Sequence, residues 1–454
     1  MINPGIFREY DIRGVVGNDF RVENVAEIAR GYAVYLKRSG KRTVVVGRDC
    51  RESSTAIRDT FVTGLIESGV DVMDIGLCPT PVLYFAIPHL KADGGVMITA
   101  SHNPPEYNGF KICVGPDTIF GDQIQQLREI IEAEERVEGK GLVTQTDVIP
   151  AYCDHIVENI RLERPVLLAL DAGNGTGGIT AVPIFKRLGC ETVELFTDPN
   201  GTFPNHEPDP TVPSNMQALS RAVVEKKLEL GVAFDGDADS LGVVDEKGHI
   251  IYGDMLLTLF GRDILKENQG EKIIGEVKCS HLFYQDIQAH GGIPIMWKAG
   301  HSLMKQKLKD EKALLAGEMS GHFFFSHRYF GFDDAVYAAC RLLELVSRRR
   351  KPLSSFLADM PAQYNTPELR IDCPEYLKFP LVEQVKKKLQ DGNKIIDIDG
   401  VRVVYPDGWA LVRPSNTGPL IVLRFEASSE TRLQEIQDYV SGVIDEARRE
   451  LVSL

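Results

Sequence analysis

Apolar positions along the chain change their period repeatedly, and the changes mark out alternating elements. Val22, Val25, Ala29, Tyr32, Ala33 and Leu36 recur at helical spacing, and the apolar run from Thr43 to Gly47 then predicts a buried strand. Residues 53–68 read as a helix, Val70 to Ile75 as the next strand and Gly94 to Thr99 as a third. A βαβ series of this kind predicts a mainly parallel sheet with helices on both faces.

The series then restarts. Val166 to Asp171 predicts a strand, 179–188 a helix, and Leu195 closes a further strand. Proline and asparagine crowd 199–215, which predicts a loop. Ser214 with Gln217 has the form of a capping box opening a helix to about Leu228, and Leu230 to Asp235 predicts a strand. A third series runs through helix 254–267, strand 272–277, helix 279–289, strand 293–296, helix 302–309, strand 313–317 and helix 333–349. The last stretch changes character. Strand-like runs at 368–373, 401–405, 409–413 and 420–425 lie between helices near 375–390 and 429–451, an α+β pattern. The expected fold class is α/β, with three similar mixed-sheet domains followed by a C-terminal α+β domain.

Composition narrows the function classes. A chain of 454 residues is long enough for roughly three domains and for several cores without metal or disulfide support. The net charge of −14 argues against nucleic acid, which needs a basic footprint, but leaves room for a basic site for a small anion. The eight cysteines are scattered without a CxxC pair, so neither structural zinc nor a disulfide framework is expected. The N-terminus lacks a signal pattern and no run of 18 apolar residues occurs, which predicts a soluble, cytoplasmic protein away from membranes.

Candidate chemistry lies at strand ends, where α/β sheets place ligands. Thr99-Ala100-Ser101-His102-Asn103-Pro104-Pro105 follows an apolar strand, and its prolines stiffen the loop around Ser101. The GxSxG elbow of an acyl-transfer serine is missing here. Ser101 is either a phosphoryl carrier or part of a turn that bonds its own backbone. Asp235, Asp237 and Asp239 stand at alternate positions of a small-residue turn and can converge on one hard cation. A calcium loop with Glu246 at its twelfth position and a solvated acidic turn are the alternatives, the former weakened by Ser240 where such a loop has glycine. Gly173 to Gly178 matches GxGxxG, which reads as a tight strand–helix turn or as a dinucleotide fingerprint. Glu318 and Ser320 in Gly317-Glu318-Met319-Ser320-Gly321-His322 can bond sugar hydroxyls, whereas His322 can also be a core histidine. Arg413-Pro414-Ser415-Asn416-Thr417-Gly418 offers a guanidinium fork and small polar groups, either a phosphate cradle or an ordinary turn.

Taken in order, these loops resemble those of the α-D-phosphohexomutase superfamily, in its bacterial phosphomannomutase/phosphoglucomutase branch. The resemblance extends over nearly the whole chain. It also takes in Phe7-Arg8-Glu9-Tyr10-Asp11-Ile12-Arg13-Gly14, Asn108-Gly109-Phe110-Lys111, Asp171 to Gly175, Lys278 and Lys298-Ala299-Gly300-His301-Ser302. It implies four domains around a central cleft: 1–147 for phosphoserine, 148–250 for metal, 251–363 for sugar and 364–454 for phosphate. Ser101 would be the phosphoserine, and with Asp235, Asp237 and Asp239 it would hold Mg²⁺. Glu318 and Ser320 would bind sugar hydroxyls, and Arg413, Ser415, Asn416 and Thr417 the phosphate that is not reacting. Lys111 and His301 would serve proton transfer or contact the transition state, with Tyr10, Arg13 and Lys278 lining the cleft.

The implied reaction interconverts hexose 1-phosphate and hexose 6-phosphate, of mannose or glucose, through a hexose 1,6-bisphosphate. The implied assembly is a monomer or weak homodimer. Met319 is typical of the mannose/glucose branch. Two positions depart from the family pattern. Ser240 stands where an arginine is usual, which removes a cation beside the metal loop, and Gly418 replaces an acidic or polar residue. A hexosamine phosphate mutase, a catalytically weak sugar-phosphate-binding protein and an NAD-dependent oxidoreductase are the rival readings.

Overall fold

A computed structural model of the chain describes residues 2–390, 392–416 and 418–452. Its strands form four sheets. In the first, Gly94–Ile98, Thr43–Arg48 and Asp71–Leu77 run parallel, and Tyr107–Val114 returns antiparallel beside Gly94–Ile98. Val44, Val45 and Val46 are all fully buried, as helices on both faces require. In the second sheet Leu230–Phe234 runs parallel to Leu167–Asp171, and Leu241–Asp245 returns antiparallel. The third pairs Lys272–Glu276 with Leu315–Gly317, and Phe323–Phe325 returns. The fourth is antiparallel throughout and packs on the helices Glu375–Leu389 and Glu430–Val452.

The first three sheets thus share one device. A buried parallel strand ends, the chain reverses, and a hairpin partner runs back. The reversals are residues 99–106, 235–240 and 318–322, and the fourth sheet adds the reversal between Gly408–Pro414 and Leu420–Ala427. Each candidate loop is therefore held at both ends by sheet hydrogen bonds.

The sheets are mixed, as the expected fold class has it, and the first adds antiparallel strands that the βαβ reading of its series leaves out. The return strand Tyr107–Val114 carries buried Asn108 and Lys111 among its apolar residues, which hides it from a hydrophobic pattern. The capping box is corrected. The helix begins at Gln217 after Met216, with no side-chain cap, and Ser214 lies outside it.

One apolar core runs through the first three units. The helix Ala335–Ser347 is buried on every face at its centre. The last unit has its own core and meets the third through a small cluster of Val277, Trp409 and Leu411. Arg402 joins them as well, stacked 3.7 Å over Trp409 and donating to the carbonyls of Val277 and Cys279. Among the described residues, no helix is long and apolar enough to cross a membrane.

Candidate active site

Ser101 is buried and sits at φ +50°, a left-handed conformation that is uncommon for a residue with a side chain. Surrounding bonds hold it there. Thr99 Oγ1 accepts its N–H at 2.9 Å. Arg51, buried completely, donates to the carbonyls of Ser101 (2.8 Å), Asn103 (2.6 Å), Pro104 (2.5 Å) and Tyr107 (3.1 Å). Its Nε faces Asp49 Oδ2 at 3.1 Å. No motif marks Arg51 in the sequence; a charged Asp49/Arg51 pair just past an apolar strand is the signal that was there to use. The loop leaves the Ser101 hydroxyl donating to Asp235 Oδ2 at 2.6 Å, with His102 Nδ1 3.1 Å away.

The acidic turn reaches Ser101 because Gly236 has no side chain. A Cβ there would stand 2.4 Å from the Ser101 carbonyl oxygen. The glycine-rich turn at 173–178 closes on the same spot, with Thr176 N–H donating to the Gly236 carbonyl at 2.9 Å. It is packing, as the tight-turn reading has it. Asp235 Oδ1 accepts the N–H groups of Asp239 and Ser240, each at 3.0 Å. Asp237 Oδ2 accepts from Thr80 Oγ1 (2.5 Å) and Lys111 Nζ (2.8 Å), and Lys111 also bonds Asp239. All three aspartates are fully buried. Burial, and then the charges of Asp239 and Asp237, raise the Asp235 carboxyl well above its usual range. Burial acts the same way on Asp239, but Lys111 and His322 outweigh it and hold that carboxyl well below.

Asp235, Asp237 and Asp239 bring carboxylate oxygens within 4.8 Å of one another. Asp237 Oδ1 is buried without a hydrogen-bond partner, and Asp239 Oδ1 faces His322 Nε2 at 3.2 Å. An orphaned anionic oxygen on a convergent all-oxygen set fits a hard divalent cation. The calcium-loop alternative loses its last ligand, since Glu246 turns away to accept from Ser354 N (3.1 Å) and Oγ (2.5 Å). A second group, Asp239, His322 and Asp333, also converges. There Lys305 already pairs with Asp333 at 3.1 Å. His322 is pushed down by burial but carried up to about 10 by Asp239 and Glu318, so it supplies the positive charge itself.

The third reversal places Glu318 and Ser320 next to His322, whose Nδ1 lies 2.9 Å from Ser320 Oγ and 3.4 Å from Glu318 Oε2. Glu318 Oε1 accepts the Gly300 N–H at 2.5 Å. Burial and then Lys305 and Lys111 push His301 well below the usual imidazole range, so its ring is neutral, and its buried Nε2 has no partner. Lys278 reaches Glu368 at 3.0 Å and Glu276 at 3.5 Å. Arg13 bridges Asn103 and Asp11, each at 2.5 Å.

In the last unit Arg413 is buried against Asp399, with Nε at 3.1 Å and a terminal nitrogen at 3.0 Å. Asn416 Nδ2 donates to the Tyr10 hydroxyl at 2.6 Å, and that hydroxyl donates to the Ala299 carbonyl at 2.7 Å. Beneath the loop, buried Lys378 donates to the carbonyls of Ser415 (2.6 Å) and Gly418 (3.2 Å). The expected Thr417 lies outside the described residues. Lys378, Thr80 and Asp399 were not legible beforehand, because each serves a distant loop. Hydrogen bonds and ion pairs therefore join one polar loop from each unit: Ser101 to Asp235, Asp239 to His322 beside Glu318 and Ser320, and Ala299 to Asp399 beside Arg413. That set suits phosphoryl transfer to or from a polyhydroxylated substrate.

Relatives share this architecture. Four family models match in order: phosphoglucomutase/phosphomannomutase alpha/beta/alpha domains I (residues 4–138), II (150–248) and III (252–364), and the C-terminal domain (368–443). A phosphomannomutase/phosphoglucomutase of Pseudomonas aeruginosa is 46% identical over 95% of this chain and 94% of its own. A phosphoglucomutase of Neisseria gonorrhoeae is 45% identical over 98% and 97%. The crystal structure of a phosphoglucomutase/phosphomannomutase family protein from Burkholderia thailandensis superposes with a TM-score of 0.93 at 44% identity, covering 99% of this chain and 98% of that one. Matched along nearly its whole length, the chain belongs to the phosphoglucomutase/phosphomannomutase family.

Proposed function

We propose that the protein is a phosphomannomutase/phosphoglucomutase, moving a phosphoryl group between the 1- and 6-positions of a hexose through phosphorylated Ser101. The observation that carries this is the Ser101 hydroxyl, 2.6 Å from Asp235 in an otherwise buried acidic turn. The phosphoryl group leaves Ser101 Oγ as its P–O bond breaks, and a new bond forms to the free hydroxyl of a hexose monophosphate. That hydroxyl gives up its proton, and Ser101 Oγ is restored as an oxyanion or hydroxyl. The resulting bisphosphate turns over in the cleft and returns its other phosphoryl group to Ser101.

His301, neutral and with a free Nε2, is assigned the role of accepting the proton. Lys111 is raised above its ordinary range by Asp237 and Asp239 against the effect of burial, so it stays charged and stabilises the transferring group electrostatically. Asp235, Asp237, Asp239 and the phosphoserine oxygen would hold Mg²⁺, which when bound neutralises charge on the transferring phosphoryl group. Glu318 and Ser320 bond sugar hydroxyls. Arg413, Ser415 and Asn416 hold the phosphate that is not reacting, with Tyr10, Arg13 and Lys278 around it. If the gripped hydroxyls lie away from C2, glucose and mannose are both accepted. The partner is a phosphosugar, for which Lys111, Lys278, Arg13 and Arg413 supply buried or nearly buried cations.

The test supplies glucose 1-phosphate, Mg²⁺ and trace glucose 1,6-bisphosphate and measures glucose 6-phosphate in a coupled assay. Wild type turns over, and Ser101→Ala loses on the order of 10³-fold or more. Wild type without turnover on glucose or mannose 1-phosphate would overturn the assignment.

A further inference from the structure

Asp399 lies in the turn before the strand Val401–Tyr405, outside every motif read from the sequence. One of its oxygens, Oδ2, accepts from Arg413 Nε at 3.1 Å and from an Arg413 terminal nitrogen at 3.0 Å. A guanidinium is a planar fork of five N–H donors, and two on one edge are taken by a single acceptor. The group cannot rotate without breaking both bonds. The same Oδ2 accepts the N–H of Ala299, in the third unit, at 3.1 Å. The Ala299 carbonyl takes the Tyr10 hydroxyl, and Tyr10 takes Asn416. A continuous path of hydrogen bonds thus runs Arg413–Asp399–Ala299–Tyr10–Asn416. It starts and ends on the phosphate loop and passes through the third and first units.

We propose that Asp399 is a positioning residue. It aims the Arg413 fork at the phosphate that is not being transferred, and it makes that aim depend on the last unit being seated against Ala299. Through Asp399, seating of the last unit and readiness of the cradle become one event. The proposal rests on the cradle assignment above. A phosphate held before and during transfer is bound equally in ground and transition states, so its loss raises KM rather than lowering kcat.

The experiment measures kcat and KM for glucose 1-phosphate in wild type, Asp399→Asn, Arg413→Ala and the double variant, with thermal midpoints as a control on folding. Asp399→Asn keeps an oxygen for the Ala299 N–H and removes the charge that holds Arg413. The expected result is a KM raised about 10- to 100-fold, as for a lost charged hydrogen bond, with kcat within about threefold. In the Arg413→Ala background, Asp399→Asn adds less than about twofold, because its effect acts through Arg413. A residue that merely stabilises the fold would multiply the two effects. An unchanged KM in Asp399→Asn while Arg413→Ala is impaired overturns the proposal alone. An unchanged KM in Arg413→Ala overturns the cradle assignment and the proposal with it. Should wild type not turn over, calorimetric titration with inorganic phosphate decides. Binding weakened tenfold or more by Asp399→Asn supports the positioning role, and equal binding overturns it.

Discussion

The Arg51 guanidinium donates to the Ser101 carbonyl oxygen at 2.8 Å from a position closed to solvent. The serine proposed above to carry the phosphoryl group is held in a left-handed conformation by a residue 50 positions away in the chain. Arg51→Lys keeps the charge but cannot fork to several carbonyls at once. It should lower stability by roughly 2–4 kcal/mol, from the lost charged hydrogen bonds. It should also slow phosphorylation of Ser101 by glucose 1,6-bisphosphate by about tenfold or more, read by intact mass over time. Wild-type phosphorylation rates in Arg51→Lys would show that the loop holds itself.

Lys111 and His322 are cations built into the acidic turn, and the divalent ion proposed above would be a third. Without Mg²⁺, Lys111→Met leaves Asp237 and Asp239 buried with no ammonium, a loss of roughly 3–5 kcal/mol. Its thermal midpoint should fall well below that of wild type in EDTA and rise by more than that of wild type as Mg²⁺ is added. Asp237→Asn should act the other way, being less sensitive to EDTA and needing about tenfold more Mg²⁺ for half-maximal activity. Midpoints recorded across a Mg²⁺ titration check both.

Gly300 has φ +123°, and a Cβ placed on it would lie 2.4 Å from the Tyr10 ring. Gly300→Ala is therefore strained in its backbone and pushes Tyr10 off Ala299. Expected effects are a KM for glucose 1-phosphate raised at least about tenfold and a destabilisation of roughly 1–3 kcal/mol. Wild-type steady-state kinetics in this variant would mean that the Tyr10 contact is dispensable.

His327 gives a pH signature outside the cleft. Burial, and then the cations of Arg341 and Arg328, bring its imidazole down to about 4 from an ordinary 6.5. The folded chain then binds fewer protons than the unfolded one between those values. This contribution is complete above pH 6.5 and is lost as pH falls toward 4. Discounted for a half-exposed ring, it is on the order of 1 kcal/mol at pH 5. His327→Gln retains an acceptor for Arg341 and takes up no proton. Its thermal midpoint should drop less than that of wild type between pH 7.5 and 5, by roughly 1 °C.

Much of this was written locally. The strands that end at Ile98, Phe234 and Gly317 are apolar runs, and the loops that follow carry chemistry in consecutive residues, so Ser101, the aspartate turn and Glu318 could be found by position alone. The return strands were harder. In Tyr107–Val114 the alternation is broken by Lys111, a core position occupied by a charge because Asp237 and Asp239 neutralise it. Thr80, Lys378 and Asp399 were invisible for a related reason. Each is an ordinary polar residue whose meaning is a partner in another loop, and a single sequence does not state which loops meet. Ser214 and Gln217 misled because a capping box is a local signal, and the loop through 199–215 was free to place the helix start later.

Tyr10 and Asn416 touch across a separation of 406 positions in the chain. Tyr10 leaves the ribosome well before Asn416, and domains generally fold in the order in which they emerge. Ser101 and the acidic turn can close while the last core, with Arg413 and Asn416, is still unmade. On the assignments proposed above, a nascent polypeptide would then hold the serine for the phosphoryl group but nothing for the far end of a substrate. Capture at both ends would wait until Asn416 has emerged.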